Sequence, residues 1–147
     1  MTRYGHSMVP VWAKQGADIT AGYRVTRPSV GAMLTFDILA TILAVIMAAS
    51  AVYDFTSPAA LVADLTRWGY SAGFERTLGI IKVIGAVGLF TVWSTRWLAV
   101  VAAFGFVLYF ILAIRTHLSA KDAPAATVPA VGIFILTVAT TVAGLVA

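Results

Sequence analysis

The chain has 147 residues, of which 61% are hydrophobic and only 11% charged, with a formal net charge of +4 and no cysteine. Soluble domains carry about 25% charged residues, so this chain lacks a polar shell for water and its apolar surface is expected to face lipid. The missing cysteines exclude disulfides, thiolate catalysis and iron–sulfur or zinc–thiolate centres, and basic residues scattered singly, without a stripe, exclude nucleic acid as a partner.

Residues 1–29 hold Arg3, Lys14, Arg24 and Arg27 among prolines and glycines, with no apolar core of signal-peptide type. They are expected to form a cytoplasmic or interfacial tail, anchored by Trp12 and Tyr23. A bilayer core of roughly 30 Å needs about 20 apolar residues in a helix. Four stretches qualify: 30–53, 74–93, 97–118 and 125–147. The predicted fold over 30–147 is therefore an all-α, antiparallel four-transmembrane-helix bundle.

Residues 55–72 connect the first two spans. Thr56 or Ser57 is expected to cap a short helix with Pro58 at its first position, and Gly69 to stop it. Leu61, Val62, Leu65 and Trp68 fall at helical spacing, with Asp64 and Arg67 elsewhere on the wheel, which predicts an amphipathic helix in the interface or folded over the bundle mouth. Residues 94–96 leave room only for a tight turn between the second and third spans, flanked by Trp93 and Trp97 as interfacial anchors. Those helices must pack side by side, and Gly79, Gly85 and Gly88 permit close approach. The fourth span is rich in short side chains, which suits self-association into a homo-oligomer.

Arg3, Lys14, Arg24, Arg27 and Arg96 fall on one side of the membrane against Arg67, Arg115 and Lys121 on the other, with Arg76 at the border. This bias predicts a multi-pass protein of the cell membrane with both termini cytoplasmic. The outer rim then collects Asp54, Asp64, Arg67, Glu75, Arg76, Arg115, His117, Lys121 and Asp122.

Lys82 falls about 10 Å below Glu75 at 1.5 Å per residue. A charge at that depth is expected to face the bundle interior and to pair. Glu75 shares its helix face, and Asp54 and His117 can reach the same cavity from neighbouring helices. The plainer alternative is a lysine that snorkels or fixes helix register. Asp54 ends the first helix, where the dipole disfavours a carboxylate, so a basic partner is expected in Arg115 or Lys82. Asp37, near the other end, is read as an interfacial carboxylate partnered by Arg27. His117 closes the third helix, where an imidazole can shuttle protons, donate to a quinone carbonyl or ligate haem. The other histidine, His6, belongs to the tail, so haem ranks behind a quinone and no metal site is expected. Tyr53, Tyr70 and Tyr109 can donate hydrogen bonds, and Phe104, Phe106 and Phe110 can wall an apolar ligand, although packing is the commoner use of such rings. No phosphate-binding loop, nucleophile elbow or zinc-protease motif occurs.

The stretch from Leu78 to Leu89, preceded by Trp68-Gly69-Tyr70 and followed after the third helix by His117 and Lys121-Asp122, resembles the DoxX-like family of small four-helix membrane proteins. The resemblance covers about residues 42–142. Gly79, Lys82, Gly85 and Ala86 match the family's second-helix pattern of glycine, lysine or glutamate, glycine and alanine. Many members place a lysine near the end of the first helix, where this chain has Asp54. The resemblance implies the bundle fold and an association with membrane redox complexes. The expected function is a redox- or quinone-associated membrane component working with a partner subunit. Lys82, Glu75, His117 and Asp54 would be its reactive groups and Arg115, Tyr53 and Tyr109 its ligand contacts. Two alternatives stand beside it: a membrane isomerase or cyclase using acid–base chemistry on a small apolar substrate, and a structural partner with no site.

Overall fold

The structure, a computed structural model, describes residues 28–147. The basic tail, with Trp12, Tyr23 and Arg27, therefore lies outside the described residues. Helix α1 spans Val30–Phe55, α2 Ala59–Arg67, α3 Phe74–Phe90, α4 Arg96–Ser119 and α5 Pro124–Val146, and a 3-10 turn at Thr91–Trp93 extends α3. Four of these, counting α3 with its turn, are long and apolar enough to cross a membrane. All four expected spans are present, displaced by no more than a few residues at their ends.

The long helices pack in the cyclic order α1, α3, α4, α5, each antiparallel to both neighbours. Phe36, Leu43, Met47, Leu89, Phe106 and Phe110 fill the shared interior, with Ala40, Ala44, Ala86, Ala99 and Ala103 between them. Small residues bring the axes together. An added side chain at Gly85 would collide with the Phe106 ring, one at Gly88 would stand 2.8 Å from Ala102 Cβ, and one at Gly79 would stand 3.0 Å from the Phe55 ring. The first two contacts join α3 to α4, as the sequence predicts; the third joins α3 to α1.

Leu34, Ile38 and Val45 of α1, Ile84 and Val87 of α3, Leu108 and Leu112 of α4, and Ile135 and Leu145 of α5 all point outward. An outer surface so apolar belongs in lipid, where each helix also satisfies its own backbone. Inside α5, Thr137, Thr140 and Thr141 are buried, yet each hydroxyl donates to a carbonyl of the preceding turn at 2.7–2.8 Å. Trp93 and Trp97 are exposed beside the α3–α4 connection, suiting membrane-interface anchors.

The loops at the opposite end carry the chemistry, and each is shaped by left-handed residues, including Gly73, at φ +85°, just before α3. Gly69, at φ +87°, follows α2, and the Tyr70 amide turns back to Leu65 O at 2.9 Å. Lys121, at φ +54°, does the same for α4, with the Asp122 amide on His117 O at 3.1 Å. Ser57, at φ +46°, closes α1, its amide donating to Asp54 O at 3.1 Å. Ser57 and Thr56 therefore do not cap α2, contrary to expectation: Pro58 precedes it without a side-chain cap. Ser57 is consumed in ending α1, and Thr56 donates to Tyr53 O at 2.7 Å. Helix α2, apolar on one face, lies across this end of the bundle as a lid.

Candidate functional site

Under the lid is a cavity of about 510 Å³ bounded by all five helices. Its walls are mostly apolar, including Leu61, Leu65, Leu78, Ile81, Phe110 and Ile133, and its polar groups include Ser50, Tyr53, Asp54, Lys82, Tyr109 and His117, with Asp64, Trp68, Tyr70 and Thr116 also lining it. Two buried charged groups lie in this cavity, Asp54, 2% exposed, and Lys82, 8% exposed, the latter within α3. The Lys82 contacts define the floor: its Nζ donates to Ser50 Oγ at 2.8 Å and forms an ion pair with Asp54 Oδ2 at 2.7 Å. Ser50 and Asp54 are one turn apart on α1, so the same helix face supplies both partners. The Tyr109 ring lies 5.9 Å from the ammonium and packs edge-on against Phe106 and Phe110.

Of the two basic partners expected for Asp54, the structure selects Lys82. Arg115 is exposed outside the cavity, in an adjoining groove. Glu75 does not reach Lys82 either. It is buried in the first turn of α3, where the helix dipole favours a carboxylate, and accepts from Ser57 Oγ at 3.3 Å. Sharing a helix face was insufficient because the packed neighbour α1 offers a carboxylate closer to Lys82 than one two turns along its own helix. Asp37 pairs with Arg96, at 3.0 Å, at the far end of the bundle. Tyr53 is half exposed yet lines the cavity.

Nearer the lid, His117 Nδ1 meets Asp122 Oδ2 at 2.8 Å, and the Trp68 ring stands edge-on to the imidazole at 4.8 Å between centroids. The other Asp122 oxygen accepts from Arg67 at 2.7 Å, and Arg67 also holds Asp64 at 3.0 Å. Arg67's hydrogen bond keeps the Asp122 carboxyl below its ordinary value, outweighing the burial that would raise it, and His117 adds to the lowering. The Asp122 carboxylate on Nδ1 fixes the orientation of the His117 ring. Arg67, Asp122 and His117 thus form a latch from lid to bundle. Sequence reasoning placed all three on one rim without foreseeing the contact. The signal was the residue pair itself: a polar residue folded back by a left-handed Lys121 must land on the last turn of α4.

Asp54, Lys82, Tyr53, Tyr109 and His117 therefore share one cavity, whereas Glu75 and Arg115 stand outside it. An ion pair at its floor, a carboxylate-oriented imidazole near its mouth and apolar walls between can bind a lipophilic molecule bearing oxygen atoms and exchange protons with it.

Neither a curated protein nor a solved structure is similar enough to match the chain. The model of the DoxX-like family matches residues 38–140, which take in the cavity from Ser50 to Ile133 and every polar residue of the latch. With most of the chain matched and four membrane-crossing helices in place, this multi-pass membrane protein belongs to the DoxX-like family.

Proposed function

We propose that the protein is the quinone-binding membrane component of a redox assembly, with the quinone ring in the cavity under α2. The observation that carries this reading is the Lys82 ammonium, buried at the floor of an apolar cavity with Ser50 and Asp54 as partners. An ammonium has three donors; two face these partners, which leaves one for a carbonyl oxygen in the cavity. His117 supplies a second proton-exchanging group, held by Asp122. A volume of about 510 Å³ falls within the range of small-ligand pockets, roughly 300–1,000 Å³. A bound quinone supplies two-electron, two-proton chemistry, and its electrons come from a partner subunit. Lys82 and His117 hold protons at two points of the cavity, and α2 limits water entry.

Organic extraction of the purified protein, followed by a reduced-minus-oxidised ultraviolet spectrum, tests this. Near-stoichiometric quinone is expected from the native chain and a large loss from the Lys82→Met/Asp54→Leu double variant, which leaves no charge unpaired. A quinone-free native protein overturns the reading.

The Asp122–His117 contact favours a second reading, an isomerase or cyclase in which His117 moves a proton on an apolar substrate. It is distinguished by turnover without any electron-transfer partner. In either case the lid end is assigned to the outer face and the termini to the cytoplasm, from the basic tail. Because the chain is free of cysteine, a single Lys121→Cys variant suffices: an impermeant maleimide should label it in intact cells, and protection of that thiol until lysis would invert the topology.

A further inference from the structure

Outside the lid, on the lipid side of α4, a second hollow of about 460 Å³ is lined by Arg67, Tyr70, Leu112, Arg115, Thr116 and Ser119, among others. Its polar character differs from the apolar cavity, with which it shares Trp68, Tyr70, Leu112 and Thr116 as walls; the Tyr70 and Thr116 hydroxyls meet at 3.3 Å.

The charges define what it fits. Among the described residues, Asp37 is paired with Arg96, Asp54 with Lys82, and Asp64 and Asp122 with Arg67, while Glu75 is buried against Ser57. No described carboxylate pairs with Arg115, which is exposed in the hollow. Arg67 gives one terminal nitrogen to each aspartate, so part of its five-donor fork remains available. Ser119 adds a hydroxyl beside these cations, whereas the Thr116 hydroxyl donates to Leu112 O at 3.0 Å. Arg115 lies about 6 Å from the end of a membrane-crossing helix, the depth of lipid headgroups. Directly below it on the same helix face, at helical spacing, Ile111, Leu108 and Phe104 are all exposed. A cation and a hydroxyl above an apolar stripe match a phosphate above an acyl chain.

We propose that this hollow binds an anionic phospholipid, with its phosphate at Arg115 and Ser119 and an acyl chain along Ile111, Leu108 and Phe104. The bound lipid stands at the side of the cavity, against the Tyr70–Thr116 contact. The assignment is independent of what the cavity holds, so quinone-free protein also binds the lipid.

Native mass spectrometry of the full chain in neutral detergent, titrated with dioleoyl phosphatidylglycerol or dioleoyl phosphatidylcholine, reads it directly. The native chain is expected to prefer phosphatidylglycerol about tenfold, the scale of one charge-assisted hydrogen-bonded contact. Arg115→Gln should remove that preference, while Arg76→Gln, at another exposed cation of the same rim with no described carboxylate partner, should keep it. Both substitutions are at exposed positions, and unchanged melting verifies the fold. Equal binding of the two lipids by the native chain overturns the proposal. Equal losses in the two variants also overturn it, by showing general surface attraction. Displacement of phosphatidylglycerol by millimolar inorganic phosphate would make the hollow a site for soluble anions instead of lipid.

Discussion

An ammonium inside a membrane-crossing helix requires a counter-charge, and at Lys82 the requirement is met by one carboxylate and one hydroxyl from a single turn of α1. Removing either member leaves the other charged and dry. Lys82→Met alone or Asp54→Leu alone should each destabilise the bundle by about 3–5 kcal/mol, whereas the double variant should melt near the native protein. Thermal melting in detergent measures this, and native-like melting of both single variants would show that the pair is solvated. Asp122 gives a pH prediction. Its carboxyl is lowered chiefly by Arg67, so its contribution to holding the lid is fully present above the unfolded value of about 3.9 and is lost as pH falls through the lowered folded value. Hydrogen exchange of α2 amides should therefore rise in the native chain only below about pH 4 through this group. Asp122→Asn should raise exchange already at neutral pH and abolish that acid step. An acid step that survives in Asp122→Asn would assign it to another carboxylate.

The helix ends around the cavity depend on left-handed residues, and two of them carry side chains in that conformation. Lys121 occupies a position where glycine is usual, and an L-residue there carries a strain of about 1 kcal/mol. Lys121→Gly should consequently stabilise the protein by up to about 1 kcal/mol while keeping the Asp122–His117 contact. Gly69→Ala should do the reverse at the end of α2, loosening the lid by a similar amount. Melting temperatures and protease sensitivity of residues 59–73 report the two effects, and opposite signs are required. Helix α2 itself was legible from its apolar spacing and from Gly69. Its start was not, because Thr56 and Ser57 have the chemistry of caps for the following helix and also the chemistry needed to terminate α1. Only the path of the chain decides between those uses.

At the scale of the whole bundle, packing rests on small residues meeting large rings. Gly85 faces the Phe106 ring with no room for a methyl group. Gly85→Ala gains up to about 1 kcal/mol of helix propensity but overpacks a filled core, which typically costs about 1–3 kcal/mol. The net effect should be destabilising and should be relieved in Gly85→Ala/Phe106→Leu, a coupling that a double-mutant cycle reads. Additive effects would mean that the two helices separate freely.

Sequence alone determined the number of membrane-crossing helices, their order and their antiparallel arrangement, because lipid demands long apolar helices and short connections leave no other path. It also determined that Lys82 needed a partner, since burial of a charge is costly wherever the helix goes. Which groups answer each other was decided by the tertiary structure: Asp54 over Glu75 for Lys82, Arg96 for Asp37, and Asp122 for His117. Those pairings depend on the rotation and axial shift of one helix against another. Both are fixed by the fit of glycines and alanines to neighbouring rings, a sum of many small contacts that no single helix expresses in its own pattern.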